Sequence, residues 1–140
     1  MTIFESSNIH KEKFLDRCVT LKKYIITFYV EDMQSAEEIY NEIIEYYENI
    51  DYESEIDEIV IMDKITIVFR NGSVINIITK EDMIPEIHSN VVFADNRFSK
   101  FYLQNTVKPR IYQYEFNNDC KMLNPNPIFI KFPDEEKGIV

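Results

Sequence analysis

The chain has 140 residues, the size of one domain, and its 45% of apolar residues is too high for a disordered chain. Its net charge of −10 at pH 7 argues against direct binding of DNA or RNA across a broad face. Its two glycines exclude a glycine-rich phosphate loop, and no apolar run approaches the roughly 20 residues of a transmembrane helix.

The first third of the chain predicts a helix, a strand and a second helix. Residues 9–22 place apolar side chains at helical spacing, and residues 24–30 are a short β-branched run typical of a buried strand. Residues 35–50 repeat apolar side chains every three or four positions, which predicts an amphipathic helix. Ser35 and Glu38 match a capping box and predict that this helix starts at Ser35.

The rest of the chain predicts mainly strands. Residues 51–57 are polar and predict a loop, and two strands at 58–69 and 73–79 form a hairpin around Asn71 and Gly72. An Asn-Gly pair accepts positive φ at both turn positions, which suits a tight hairpin. Further strands are predicted at 91–94, 99–105 and 110–116, with an edge strand at 128–132.

These elements predict an α/β or α+β fold, with a single mixed sheet of about five or six strands and two packed helices. We expect residues 1–132 to form a single compact domain and residues 133–140 to form a flexible tail. Residues 1–13 lack the apolar stretch of a secretory signal, and Cys18 and Cys120 are far apart in sequence. The sequence therefore predicts a cytoplasmic protein with reduced thiols and no membrane contact.

The negative charge is concentrated in one segment. Between Tyr24 and Asp63 there are 13 acidic residues and no lysine or arginine, whereas the remaining residues carry a small positive excess. One interpretation is a solvated surface that keeps the protein in solution. However, glutamates three or four positions apart on one helix repel each other, by roughly a few tenths of a kcal/mol per pair. The other interpretation is that the segment presents its field to a basic partner.

On the second interpretation, the helix at 35–50 and the loop after it form a partner-binding surface within the acidic segment 31–58. Clustered carboxylates speed association with a positive surface and can copy the charge pattern of a phosphate backbone. The expected partner is a protein with a basic surface, for example a nucleic-acid-binding host enzyme inhibited by a phage-encoded protein of the DNA-mimic or anti-CRISPR type. The candidate residues are Glu37, Glu38, Glu42, Glu45, Glu48, Asp51, Glu53 and Glu55.

The sequence offers no motif for catalysis. It has no Walker A loop, no nucleophile elbow and no His-Glu-x-x-His pair. His10 and His88 are separated from both cysteines, so no zinc site is predicted. We expect a protein that is not an enzyme and that uses no cofactor and no metal ion.

An alternative hypothesis comes from residues 24–96. The strand, the acid-faced helix, the hairpin ITIVFRNGSVI at 65–75 and the run VVFADN at 91–96 resemble part of a phage terminase large-subunit ATPase. The resemblance implies that Asp95 matches the magnesium-holding aspartate, while Asn96 stands where the family has its catalytic glutamate. Because the phosphate loop is missing, the resemblance implies a degenerate, catalytically inactive domain that handles nucleotide or DNA.

Overall fold

The described part of the chain folds as one mixed sheet with two main helices. The structure is a computed structural model that describes residues 2–5, 8–62, 64–80, 89–95, 97–102 and 128–132. The helices are α1 (Asn8–Thr20) and α2 (Met33–Asn49), with a 3₁₀ turn at Glu53–Glu55 and a short helical turn at Lys100–Tyr102. The strands are β1 (Thr2–Glu5), β2 (Ile25–Val30), β3 (Ile56–Ile61), β4 (Ile65–Phe69), β5 (Val74–Thr79), β6 (Val91–Asp95) and β7 (Ile128–Phe132).

The sheet has parallel and antiparallel parts. Its order is β1-β7-β6-β2-β5-β4-β3, so β2 lies at the centre between β5 and β6. The first five strands of this order, β1, β7, β6, β2 and β5, are parallel to one another. β4 pairs with β5, and β3 pairs with β4, in antiparallel orientation. The predicted mixed sheet with two packed helices is confirmed, and the described residues supply seven strands, slightly more than the sequence indicated.

Both helices cover the same face of the sheet. Phe14 and Leu15 of α1, and Ile43 and Tyr47 of α2, join one buried cluster with side chains of β2, β4, β5 and β6. The opposite face of the central strands is also buried, because Thr27 of β2 has no exposed surface. Burial on both faces explains why the central strands read as nearly continuous apolar runs rather than as alternating patterns.

Two strand predictions were wrong in their extent or position. Residues 58–69 are two antiparallel strands rather than one, because the chain reverses between Ile61 and Ile65, which pair with each other. Residues 128–132 do form a strand, but it lies inside the sheet, between β1 and β6. A strand's neighbours depend on distant segments of the chain, and its local pattern does not reveal them.

The predicted strand at 99–105 was wrong for the residues that the structure describes. Residues 100–102 form a helical turn, at whose start the Ser99 Oγ accepts a hydrogen bond from the Tyr102 backbone N–H at 3.0 Å. A serine that bonds a backbone N–H three residues later favours a helical start over an extended chain. The rest of that segment, the predicted strand at 110–116, Cys120 and the predicted tail at 133–140 lie outside the described residues.

The hairpin at Asn71 and Gly72 is present, but its turn differs from the predicted one. The Gly72 N–H donates to the Phe69 carbonyl at 3.0 Å, and Gly72 alone of the pair has positive φ, at 90°. This is the geometry of a type I turn followed by a glycine bulge. The Asn71 side chain instead donates to the carbonyls of Cys18 and Leu21, at 2.8 and 3.1 Å. Asn71 therefore joins the hairpin to the end of α1.

The start of α2 also differs from the prediction. The helix begins at Met33, and its N-cap is Asp32, whose Oδ1 accepts a hydrogen bond from the Ser35 N–H at 2.8 Å. The predicted capping box at Ser35 was therefore wrong. An aspartate caps a helix at least as well as a serine, and here it comes first along the chain.

Candidate functional site

The predicted carboxylates lie around the exposed side of α2. The helix buries Ala36, Ile39, Ile43 and Tyr47 on its core side, which leaves the opposite side to solvent. All eight predicted residues are exposed. We call these eight residues, Glu37, Glu38, Glu42, Glu45, Glu48, Asp51, Glu53 and Glu55, the acidic surface.

A turn at the end of α2 carries the acidic surface beyond the helix. Asp51 follows the C-cap residue Ile50 and takes a left-handed conformation, with φ of 60°. The Tyr52 N–H then donates to the Tyr47 carbonyl at 2.8 Å, which turns the chain directly into the 3₁₀ segment. The acids of that segment, Glu53 and Glu55, consequently continue the surface around the C-terminal end of the helix.

Little positive charge offsets the acidic surface. In the part of the chain that the structure describes, Glu42 is its only member in an ion pair, with Lys11 Nζ at 2.6 Å from Glu42 Oε1. The neighbouring bases of α1 interact elsewhere, because Lys13 and Arg17 lie 6.0 and 4.8 Å from the centre of the Phe14 ring. Beyond the helix, Arg70 Nε donates to the Ser54 carbonyl at 2.8 Å, next to Glu53 and Glu55. The carboxylates of α2 other than Glu42 therefore present their charge directly to solvent.

The distribution of the acids along α2 is unfavourable for the helix itself. Its last turn contains no basic residue, and Glu45 and Glu48 lie near its C-terminal end. The partial negative charge at a helix C-terminus favours cations, so acids there cost stability. Glu38, Glu42 and Glu45 add repulsion at spacings of four and three residues. This arrangement is therefore unfavourable for the stability of α2 itself.

Tyrosines connect the acidic surface to the core. The Tyr47 hydroxyl is buried and donates to the Leu15 carbonyl at 2.6 Å, and the Tyr46 hydroxyl donates to Asp16 Oδ1 at 2.5 Å. Burial raises the pKa of both phenols, and in Tyr46 the hydrogen bond to Asp16 raises it further. Cys18 is a free thiol beside Tyr47, and its burial raises its pKa to about 12. These contacts hold α1 against α2.

Between the two helices lies a shallow cleft of about 210 Å³. It belongs to the same surface, because Glu42 and Glu45 line it beside Lys11 and Tyr46. Its lining is mostly polar and charged, which is unlike the apolar pockets that hold small organic ligands. The cleft is therefore a shallow depression in the acidic surface and not a separate ligand pocket.

Asp95 lies apart from the acidic surface, at the carboxyl end of β6. The side chain is 1% exposed, and its two oxygens accept hydrogen bonds from Arg97 Nε at 3.0 Å and from an Arg97 terminal nitrogen at 2.6 Å. The backbone N–H groups of Glu31 and Arg97 also donate to it, each at 3.0 Å. Sequence reasoning singled out Asp95 but missed Arg97, whose role depends on the meeting of β2 and β6.

Arg97 connects the carboxyl end of β6 to the start of α2. Besides binding Asp95, its guanidinium donates to the Ser35 Oγ and lies 3.9 Å from Asp32. Only two residues, Glu31 and Asp32, separate β2 from α2, and both are acidic. Arg97 thus contacts two carboxylates, and Glu31 Oε1 lies 3.5 Å from Lys80 Nζ. These two basic groups are therefore paired with carboxylates, which disfavours a phosphate there.

A strip of exposed apolar side chains lies at the far edge of the sheet, on and after β3. Ile59 is 39% exposed, Ile61 is 60% exposed and Met62 is 76% exposed. These residues were not predicted to be exposed, because the sequence pattern indicates one continuous strand across them. The nearest signal in the sequence was the break in the β-branched pattern after Met62.

Some classes of site find no support in the described ranges. No group of three or more His, Cys, Asp or Glu side chains there is placed to hold a metal ion. No helix there has the length and the apolar character needed to cross a membrane. Comparison of the chain with protein-family models, with curated proteins and with solved structures finds no match.

Proposed function

We propose that this protein is a non-enzymatic binding protein that offers its acidic surface to a basic protein partner. The observation that carries the proposal is the arrangement of eight exposed carboxylates, of which only Glu42 is in an ion pair, with Lys11, among the residues that the structure describes. These carboxylates lie on one helix face and its C-terminal end, so their fields add in one direction. A uniformly negative face of this kind attracts a positively charged protein surface.

The partner class follows from this charge pattern. A row of carboxylates on one helix can copy the charge pattern of a phosphate backbone, so a nucleic-acid-binding enzyme is a suitable target. Binding there would block access of the nucleic acid by occupying its basic surface. We propose a phage-encoded inhibitor of the DNA-mimic or anti-CRISPR type, acting in the cytoplasm, where Cys18 stays reduced.

Charge reversal on α2 tests this proposal. The variant carries Glu37→Lys, Glu45→Lys and Glu48→Lys, and it leaves Glu42 in its ion pair with Lys11. Wild type and variant are each immobilised and exposed to an extract of host cells, and bound proteins are eluted in steps of salt. We expect the wild type to retain basic nucleic-acid-binding enzymes that elute by moderate salt and by added DNA. The variant should retain none of them.

The control variant carries Glu37→Gln, Glu45→Gln and Glu48→Gln, which removes the charges and keeps nearly the same shape. It should retain the same enzymes, eluting at lower salt than from the wild type. Thermal unfolding of all three proteins verifies that they fold. Equal retention by the wild type and the lysine variant, or retention that salt does not weaken, would contradict the proposal.

A second candidate function is a degenerate nucleotide- or DNA-handling domain centred on Asp95. One observation favours it: Asp95 lies at the carboxyl ends of parallel strands β2 and β6, where open α/β sheets commonly bind ligands. The contacts of Arg97 with Asp95 and Asp32 weigh against it. The test is thermal stability with ATP and Mg²⁺, which should raise the wild-type melting temperature and leave Asp95→Ala unchanged.

A further inference from the structure

The edge strand β3 has apolar side chains that the helices do not cover. Ile59 pairs with Ile67, and Ile61 pairs with Ile65, so each pair shares the helix-bearing face of the sheet. The β4 partners are buried in the core, whereas Ile59 and Ile61 are exposed by 39% and 60%. Since α2 packs over β2 and β5, the helical layer ends before this part of β3.

The outer side of β3 has no neighbouring strand within the described sheet, where it is the last strand of the order. Alternate residues of an edge strand direct their N–H and C=O groups away from the sheet, where another strand can pair with them. The register with β4 shifts between Ile56 and Glu58, and from Glu58 to Ile61 it is regular. The regular part of the open edge is thus Glu58–Ile61.

Charge decides which kind of strand fits this edge. Asp57 and Glu58 are exposed on β3, and Glu55 precedes them. No lysine or arginine lies between Tyr24 and Asp63 in the sequence, and the base beside Glu55 in the structure is Arg70, whose Nε donates to the Ser54 carbonyl at 2.8 Å. A second copy of the chain would bring two such acidic edges together, which costs free energy. A basic segment would instead neutralise the edge.

We propose that the outer edge of β3 binds an extended segment of a protein partner, in which basic and apolar residues alternate, as an added strand of the sheet. Its apolar side chains would lie beside Ile59 and Ile61, and its basic side chains would lie on the face of Glu58. Main-chain hydrogen bonds supply affinity in this mode, and alternate side chains supply specificity. This inference rests on the proposed function, because it names how the same basic partner would make a second contact.

A synthetic peptide tests the proposal on the full chain. The probe is the hexapeptide Lys-Val-Lys-Val-Lys-Val, titrated into isotope-labelled protein while backbone amide shifts are followed by NMR. We expect the largest shift changes at Glu58–Ile61 and at their β4 partners. The same peptide with every backbone amide methylated keeps its charge and loses its donors, so it should leave those amides unshifted.

Two matched lysine variants distinguish binding of the peptide at the β3 edge from general electrostatic attraction to the protein. Ile61→Lys places a positive charge on the edge, and we expect it to lower the binding affinity of the peptide about tenfold through like-charge repulsion. Leu21→Lys adds the same charge at another apolar position, which is 47% exposed at the end of α1. It should lower the binding affinity of the peptide less than about twofold. Neither side chain is part of the buried core, so both variants should fold.

The remaining outcomes distinguish this inference from the proposed function. Shift changes confined to α2, or equal weakening by both lysine variants, would overturn strand addition and leave the acidic surface as the contact. A dimer in sedimentation that Ile61→Lys dissociates would also overturn it, because the occupant would then be a second copy. Strand addition stands without the proposed function if the peptide still shifts Glu58–Ile61 when Glu37, Glu45 and Glu48 are lysines.

Discussion

Lys11 and Glu42 form an ion pair between the two helices, with Lys11 Nζ 2.6 Å from Glu42 Oε1. The Lys11 side chain is 13% exposed and that of Glu42 is 53% exposed, so the pair lies at the boundary between α1 and solvent. It places one positive charge at the border of the acidic surface, and among the described residues no other member of that surface is in an ion pair. Four predictions follow from this pair and from three other contacts near the two ends of α2.

Replacing Lys11 should change stability only slightly. Lys11→Met keeps most of the apolar side-chain length, and exposed or half-exposed ion pairs contribute up to about 1 kcal/mol. We expect a small loss in the free energy of unfolding, measured by urea denaturation, which disappears in high salt because ions screen the pair. Lys13→Met is the matched control and should show a smaller effect of salt. A loss above about 2 kcal/mol would contradict the prediction.

Removing the Tyr47 hydroxyl should destabilise the contact between α1 and α2. Tyr47→Phe deletes the buried hydrogen bond to the Leu15 carbonyl, 2.6 Å long, and keeps the ring in the core. A hydrogen bond of this kind contributes about 1 kcal/mol. Chemical denaturation should report a loss of that size. Tyr40→Phe, at a half-buried position of the same helix, should be nearly neutral, and equal losses in both variants would refute the assignment.

The cap at Asp32 should make stability depend on acid pH. The hydrogen bonds from the Ser35 backbone and side chain hold the pKa of Asp32 below its ordinary value of 3.8, and the charge of Arg97 adds to this. Because the folded pKa is the lower one, this stabilisation is present at neutral pH and is lost as the pH falls through the folded pKa. Asp32→Asn keeps a capping side chain but cannot ionise.

Unfolding by denaturant at pH 7 and at about pH 3 compares the two proteins. The wild type should exceed Asp32→Asn in stability at pH 7, and the gap should narrow at the lower pH. A gap that stays constant or widens toward low pH would contradict the assigned role of Asp32.

Removing Arg97 alone from its pair with Asp95 should lower the free energy of unfolding more than removing both charges. Arg97→Met leaves the Asp95 carboxylate, which is 1% exposed, without its counterion. Removing one partner of a fully buried pair typically costs about 3 kcal/mol or more, and the loss here should be smaller because the Arg97 side chain is 51% exposed. Replacing both partners is often close to neutral. The double variant with Asp95→Asn should therefore regain most of the lost stability in denaturation. An additive loss in the double variant would show that the two side chains do not act as a pair.

Local patterns predicted some elements well and others poorly, for identifiable reasons. The amphipathic pattern of α2 revealed its core side, including the buried Tyr47, because a 3.6-residue repeat is a property of the helix alone. The same pattern missed the Asp32 cap, since Ser35 also matches a capping motif. The Asn71-Gly72 pair identified the hairpin but not its turn type, because the Asn71 side chain is held by carbonyls of α1.

The sequence also predicted one of the two candidate surfaces and not the other. The acids of α2, Glu37 to Glu48, could be assigned to one surface from the sequence, because the helix phase decides which side faces solvent. Asp51, Glu53 and Glu55 continue that surface only because the chain turns at Asp51. The exposure of Ile59 and Ile61 could not be assigned, because it depends on where β3 lies in the sheet and on how far the helices extend over it. Arg97 could not be linked to Asp32 either, since that contact needs β2 and β6 to be neighbours.

The sequence by itself determined where the negative charge lies, which face of α2 carries it, and that helices pack on a mixed sheet. These properties follow from the order of residues within single elements. Only the tertiary structure decided the strand order, the interior position of β7, the contact of Arg97 with Asp95 and the place of β3 as the last strand of the described sheet. Each of these results from pairing between distant segments, which is selected by the burial of whole faces and by the satisfaction of backbone hydrogen bonds.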